Sequence, residues 1–167
     1  MMWLAMGLTV ARLLSIPVLF VLARAGQRNW FVALFLFAGL TDVLDGWAAR
    51  RFKTVSRAGA FLDSIADYLL FGGVIVWLYW FEPKFVMENV LLVSIVVVVA
   101  VVKELVKWSR GSGASHWWPS KATSVVLSAF VVFTVLVGPV RMVWFVVVGV
   151  LLLLTLAEVR IMTRLRR

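Results

Sequence analysis

Residues 42–67 read DVLDGWAARRFKTVSRAGAFLDSIAD and contain four of the eight acidic residues in this chain. The four are Asp42, Asp45, Asp63 and Asp67, and they lie in a chain of 167 residues that is 63% hydrophobic. A soluble domain of this size cannot bury so much apolar surface, so the composition indicates a membrane protein. Because carboxylates are costly at membrane depth, these four predict a functional site.

Six apolar segments are long enough, at about 20 residues, to cross a bilayer. We therefore predict an all-α integral membrane protein, with six transmembrane helices in one membrane domain over residues 1–167. The predicted spans are 5–24, 30–50, 58–80, 87–108, 121–139 and 142–160. The first segment lacks a basic stretch before it, so we do not predict a signal peptide.

The cations predict the orientation of these spans. With both termini on one side, 13 of the 17 Lys and Arg residues fall on that side. The excess places both termini in the cytoplasm and the four aspartates at the cytoplasmic face of the cell membrane. The net charge of +9 is then explained by the flanks of the spans rather than by nucleic-acid binding.

The cysteine, histidine and tryptophan content narrows the kinds of site and predicts aromatic residues at the membrane interface. The absence of cysteine and the single His116 exclude a disulfide framework and a multi-histidine zinc site. Most tryptophans lie near predicted span ends, where we expect an interfacial aromatic belt. They are Trp3, Trp30, Trp77, Trp80, Trp108, Trp117, Trp118 and Trp144.

The spacing of the aspartates predicts how they meet. Asp42 and Asp45 are three residues apart, Asp63 and Asp67 are four apart, and either spacing places a pair on one helix face. The polar stretch 51–57 permits a turn, which would make an antiparallel helix pair with its carboxylates facing each other. Such an oxygen-only cluster suits Mg²⁺ or Mn²⁺, and four carboxylates suffice for two ions about 3.5–4 Å apart.

Small and basic residues surround the aspartates. Gly46 and Ala49 leave a groove one helix turn apart, and Gly59 permits close approach of the facing helix. Arg50 stands beside the site, where its guanidinium can clamp a phosphate group. The alternative is a purely structural helix pair, in which nearby arginines neutralise the interfacial acids.

The whole run resembles the signature of the CDP-alcohol phosphatidyltransferases, D-x2-D-G-x2-A-R-x8-G-x3-D-x3-D, at all eight positions. The resemblance implies six helices, transfer of a phosphatidyl group from a CDP-linked lipid to an alcohol, and release of CMP. It implies that Asp42, Asp45, Asp63 and Asp67 bind metal, with Asp67 also acting as general base. Gly46, Ala49, Arg50 and Gly59 would bind the nucleotide and its phosphates. The family also implies a homodimer.

The first helix contains Leu8-Thr9-Val10-Ala11-Arg12, which resembles the start of phosphatidylglycerophosphate synthases. Thr9 is therefore expected at the nucleotide and Arg12 at the acceptor, glycerol 3-phosphate, although Arg12 alone could also snorkel to the interface. Those enzymes usually read D-P-x-A-D-K across the last two aspartates, whereas Ser64 and Tyr68 replace Pro and Lys here. Inositol phosphate or another alcohol is thus the alternative acceptor.

Four more cations are candidates to bind an anionic acceptor: Lys103, Lys107, Arg110 and Lys121. Glu104 could pair with Lys103 or Lys107 instead, and positive-inside anchoring explains any of the four equally well. From other classes, a divalent-cation transporter and a scaffold without chemistry remain alternatives. A transporter predicts acids along a path across the bilayer rather than a cluster at one face.

Overall fold

The computed structural model describes residues 2–52, 57–109 and 118–164, with side chains described over 10–41, 65–103, 105–106 and 121–160. These residues form helices and short turns and contain no strand, so the all-α prediction is confirmed. The seven helices in the described residues are α1 (Met2–Arg24), α2 (Arg28–Phe52), α3 (Arg57–Phe81), α4 (Pro83–Glu88), α5 (Val90–Ser109), α6 (Trp118–Val137) and α7 (Arg141–Arg164).

Five of the six predicted segments each coincide with one long helix to within a few residues. The exception is 87–108, which begins inside the short α4. Pro83 favours a new helix start there, and α4 ends at Glu88. The next residue, Asn89, donates its Nδ2 to the carbonyl oxygen of Phe85 at 2.9 Å. The prediction of one continuous helix over 87–108 is therefore wrong at its start.

Several apolar stretches lie within the described side chains. Among the described residues, the one helix with the length and apolar composition to cross a bilayer is Arg141–Arg160, with a mean hydropathy of 2.5. Shorter apolar stretches of 10–17 residues occur at Arg28–Thr41, Ile65–Phe81, Val90–Lys103 and Lys121–Val137. Six spans and cytoplasmic termini remain predictions.

The chain divides into two compact units. Unit 1, Met1–Phe81, holds α1 to α3, and unit 2, Glu82–Arg167, holds α4 to α7. In unit 1, α1 packs against both α2 and α3; in unit 2, α7 packs against α5 and α6. The single domain over 1–167 remains a prediction.

A glycine allows the tight turn from α1 to α2. Gly26 has φ +69°, a left-handed conformation that glycine adopts without steric cost. The amide of Gln27 donates to the carbonyl of Leu22 at 2.9 Å, and that of Gly26 donates to Ala23 at 3.1 Å. This pair of bonds is a Schellman ending, and it lets α2 turn back along α1 after three residues.

Aromatic rings fill the core of unit 1. Trp77 of α3 is completely buried, and its ring packs edge-on against Phe20 of α1 and Phe31 of α2, with centroids 5.2 and 5.3 Å away. A Cβ at Gly73 would lie 2.6 Å from the Trp77 ring, so glycine is required there for close packing. Trp77 is therefore a core residue, and its prediction as an interfacial belt residue is wrong.

Unit 2 has a smaller aromatic core. Trp144 of α7 is buried against Phe85 of α4 and Phe130 of α6, with ring centroids 5.6 and 5.3 Å away. The belt prediction is thus also wrong for Trp144. Aromatic packing buries both indoles, and within the described residues neither Nε1–H has a hydrogen-bond partner.

Candidate functional site

All four signature aspartates lie on helices that meet at one end of unit 1. Asp42 and Asp45 lie on α2, while Asp63 and Asp67 lie on α3. Spacings of three and four residues therefore place each pair on one helix face. The positions predicted to carry metal chemistry are helical, as the sequence predicted.

Ring contacts fix the direction of α2 relative to α3. Phe31 lies against Phe81, and Phe35 lies against Trp77, with centroids 5.1 and 6.1 Å apart. Residue numbers rise along α2 as they fall along α3, so the helices are antiparallel. Continued along both helices at the same rise per residue, this register brings Asp45 level with Asp67. The end of α2 and the start of α3 therefore lie at the same end of the unit.

Asp67 is the signature carboxylate whose side chain the structure describes. Its side chain is 39% exposed, so a substrate or an ion can reach it. Its Oδ1 lies 3.8 Å from Nη1 of Arg12, a residue of α1 whose side chain has no exposed surface. The ion pair joins a fully buried cation to an accessible carboxylate.

The burial of Arg12 and its contact with Asp67 bear on both predictions made for this residue. Arg12 does not snorkel to a surface, because it is 1% exposed and lies among buried neighbours such as Ser15 and Ile16. The sequence assigned Arg12 to the acceptor and did not predict its contact with Asp67. A signal was present: Gly26 stands 14 residues after Arg12, and 14 residues further is Leu40, two positions before Asp42. Folding at Gly26 therefore brings Arg12 to the level of the signature.

Most other candidate residues lie outside the described side chains. Those on helices without described side chains are Thr9, Asp42, Asp45, Gly46, Ala49, Arg50, Gly59, Asp63 and Lys107, and Arg110 lies outside the described residues altogether. Their roles, and the facing of the two carboxylate pairs, therefore remain predictions. Among the side chains that are described, no three His, Cys, Asp or Glu residues come together as a metal site.

Two of the four cation candidates for acceptor binding have described side chains, and both lie in unit 2. Lys121, near the start of α6, is exposed. Lys103 of α5 is 9% exposed, and its Nζ lies 3.1 Å from Oε2 of Glu158 on α7. The sequence offered Glu104 as its partner, because Glu158 is 55 positions away and no local pattern connects the two.

Comparison with known proteins agrees with the signature. The family model described as CDP-alcohol phosphatidyltransferase matches residues 2–156. A Pseudomonas fluorescens protein is 30% identical over 156 residues, covering 88% of this chain and 78% of that protein. A Haemophilus influenzae protein is 28% identical over 129 residues, covering 73% of this chain and 70% of that protein. Both are named CDP-diacylglycerol–glycerol-3-phosphate 3-phosphatidyltransferase.

A relative with a different name matches a shorter part of the chain. A Mycobacterium bovis protein named as a cardiolipin synthase is 33% identical over 117 residues. The match covers 64% of this chain and 51% of that protein, so this chain spans about half of the relative's length. No solved structure gives a significant match.

Proposed function

Because this chain belongs to the CDP-alcohol phosphatidyltransferase family, we propose that it transfers a phosphatidyl group from CDP-diacylglycerol to glycerol 3-phosphate. The products would be phosphatidylglycerophosphate and CMP, within phospholipid biosynthesis. The observation that carries the proposal is the complete eight-residue signature, placed on two antiparallel helices that bring its ends together. The names of the Pseudomonas and Haemophilus relatives support the choice of acceptor.

The reaction is a direct displacement at phosphorus. The acceptor hydroxyl oxygen bonds to the phosphorus that carries diacylglycerol, and the bond from that phosphorus to the bridging oxygen of CMP breaks. The electron pair of the broken bond leaves with CMP, and the hydroxyl proton passes to a carboxylate of Asp67 acting as general base. The 39% exposure of Asp67 supports this role, because a base must reach its substrate.

Four carboxylates suit a divalent cation, and the family is generally dependent on one. Asp42, Asp45, Asp63 and Asp67 would hold Mg²⁺ or Mn²⁺, with two ions as the proposed number. The ions would neutralise the pyrophosphate and stabilise the leaving CMP. The donor chemistry fits, since all four side chains offer hard oxygen ligands and the described one is accessible.

Substrate binding is proposed for the small and basic residues that the sequence singled out. Gly46, Ala49 and Gly59 would leave space for the cytidine, while Arg50 and Thr9 would bind its phosphates. The acceptor phosphate would be bound by cations chosen from Lys107, Arg110 and Lys121. The proposal extends to six membrane spans, cytoplasmic termini and active site, and a homodimer, on the strength of the family and of the asymmetry of the cations.

The test is CMP release by the purified protein from CDP-diacylglycerol with Mn²⁺ or Mg²⁺. Glycerol 3-phosphate, inositol 1-phosphate, inositol, serine and phosphatidylglycerol are supplied in separate reactions. Phosphatidylglycerol is included because of the relative named as a cardiolipin synthase. A metal-free reaction and a reaction without acceptor are the controls.

We expect metal-dependent CMP release in the reaction with glycerol 3-phosphate and none with the other acceptors. Release with another acceptor alone would contradict glycerol 3-phosphate while leaving phosphatidyl transfer in place. No release with any acceptor, in protein that also fails to bind CMP in the presence of metal, would contradict the proposed transfer itself.

A further inference from the structure

Arg12 is a buried charged residue beside the proposed chemistry. Its side chain has no exposed surface, yet its Nη1 lies 3.8 Å from Oδ1 of Asp67. Burying a charge is costly unless an opposite charge accompanies it. The fold therefore keeps a guanidinium inside unit 1 at a position where Asp67 supplies a negative charge.

Burial limits what Arg12 can bind. A guanidinium without exposed surface cannot take a phosphate from water unless its helix moves. Asp67, in contrast, is 39% exposed and can reach substrate. The geometry thus favours an indirect role for Arg12, through Asp67, over direct contact with the acceptor.

The helices α1 and α3, which carry Arg12 and Asp67, also pack against each other through a second contact. Phe20 of α1 packs edge-on against Trp77 of α3, with centroids 5.2 Å apart. In both contacts the α3 residue is 55–57 positions after its α1 partner, so the two helices run parallel in one register. Ser15 Oγ also donates to the carbonyl oxygen of Arg12 at 2.7 Å. Arg12 is thus held by its own helix while its guanidinium reaches α3.

We infer that Arg12 is a positioning residue for phosphatidyl transfer, which holds the carboxylate of Asp67 in its working orientation. The inference rests on the proposed function, because it assigns Asp67 as the base. Distances at such pairs often shorten when substrate binds, so 3.8 Å is compatible with a tighter contact during the reaction. Arginine suits the role because its planar fork fixes a carboxylate in direction as well as in distance.

The experiment compares Arg12→Met with Arg24→Met in steady-state transfer from CDP-diacylglycerol to glycerol 3-phosphate. Arg24 is the matched control, since it lies on the same helix but is exposed and stands over the Trp80 ring, at 5.9 Å. We expect Arg12→Met to lower kcat about 10–100-fold, the usual loss when the partner of a functional ligand is removed. The KM for each substrate should stay near that of the wild type, and Arg24→Met should leave kcat unchanged.

Two further variants separate positioning from general damage to the fold. Arg12→Lys retains the charge without the fork, so it should recover part of the lost kcat. In an Asp67→Asn background, Arg12→Met should cost little further rate, because residues that act as a unit are not additive. CMP binding with Mn²⁺ reports whether each variant is folded; if Arg12→Met does not fold, Arg12→Lys with lowered kcat and unchanged KM carries the test.

Three results would overturn the inference. An increased KM for glycerol 3-phosphate with unchanged kcat would make Arg12 an acceptor ligand. Wild-type kinetics in Arg12→Met, or in Arg12→Lys where Met does not fold, would remove its role. Full additivity with Asp67→Asn would show that Arg12 acts elsewhere. These results are distinct from failure of the proposed function, in which the wild type itself would release no CMP.

Discussion

Among the described side chains, each unit has an interhelical ion pair with one fully buried member, and the two pairs differ in their access to solvent. In unit 1, the buried Arg12 meets Asp67, which is 39% exposed. In unit 2, Glu158 has no exposed surface and Lys103 is 9% exposed, at 3.1 Å. A carboxylate that solvent can reach is able to bind substrate, whereas one sealed against a lysine is not. The comparison supports the proposed chemistry at the first pair and a role in helix packing for the second.

The largest expected effect is loss of the accessible carboxylate. Asp67→Asn should lower kcat for transfer about 10²–10⁴-fold, the usual contribution of a general base. CMP binding in the presence of Mn²⁺ should be substantially intact, because the amide keeps the shape of the side chain. Single-turnover transfer and equilibrium CMP binding are the two measurements.

Asp42→Asn is the comparison variant within the same constellation. It should weaken metal-dependent CMP binding, whereas Asp67→Asn should primarily slow the transfer. An active Asp67→Asn enzyme would remove Asp67 as the base, and undiminished binding in Asp42→Asn would take Asp42 out of the metal site.

The buried pair should matter for stability instead. Glu158→Gln leaves Lys103 without this carboxylate in a buried position, which should lower the free energy of unfolding by about 3–5 kcal/mol. Reversible unfolding in mixed detergent micelles measures the loss. The rate of transfer per folded molecule should be unchanged.

The double variant Lys103→Met with Glu158→Leu is the control, since replacing a whole buried pair by apolar residues is often neutral. It should recover most of the stability lost in Glu158→Gln. A raised KM for glycerol 3-phosphate in Glu158→Gln, without loss of stability, would contradict the packing role of this pair. It would indicate instead that Lys103 binds the acceptor.

The smallest effect is expected at an exposed pair in unit 2. Arg141 Nη2 lies 3.0 Å from Oε2 of Glu88, but both side chains are more than half exposed. Glu88→Gln should change the free energy of unfolding by no more than about 1 kcal/mol, because water and salt screen such pairs. If Glu88→Gln lowered the free energy of unfolding as much as Glu158→Gln does, burial would not determine how much each ion pair contributes to stability.

The sequence predicted the helices of unit 1 well because their signals are local. Apolar length and the polar stretch 51–57 place α2 and α3 to within a few residues. The signature likewise places its aspartates on helices, since spacings of three and four are helical in themselves. The break at Asn89 was missed because the span was placed from the long apolar run that follows it.

Contacts between distant positions could not be predicted in the same way. Arg12 and Asp67 are 55 positions apart, as are Lys103 and Glu158, and Lys103 had a plausible partner beside it in Glu104. The burial of Trp77 depends on Gly73 and on rings from two other helices. Such outcomes follow from how helices pack, which one-dimensional patterns do not specify.

The most direct test of the central claim is the identity of the lipid formed from CDP-diacylglycerol and glycerol 3-phosphate with Mn²⁺. Mass spectrometry of the extracted lipid should show phosphatidylglycerophosphate, with one CMP released for each molecule formed and no product after chelation of the metal. Phosphatidic acid without incorporation of the acceptor, or intact CDP-diacylglycerol in protein that binds CMP, would contradict transfer to glycerol 3-phosphate.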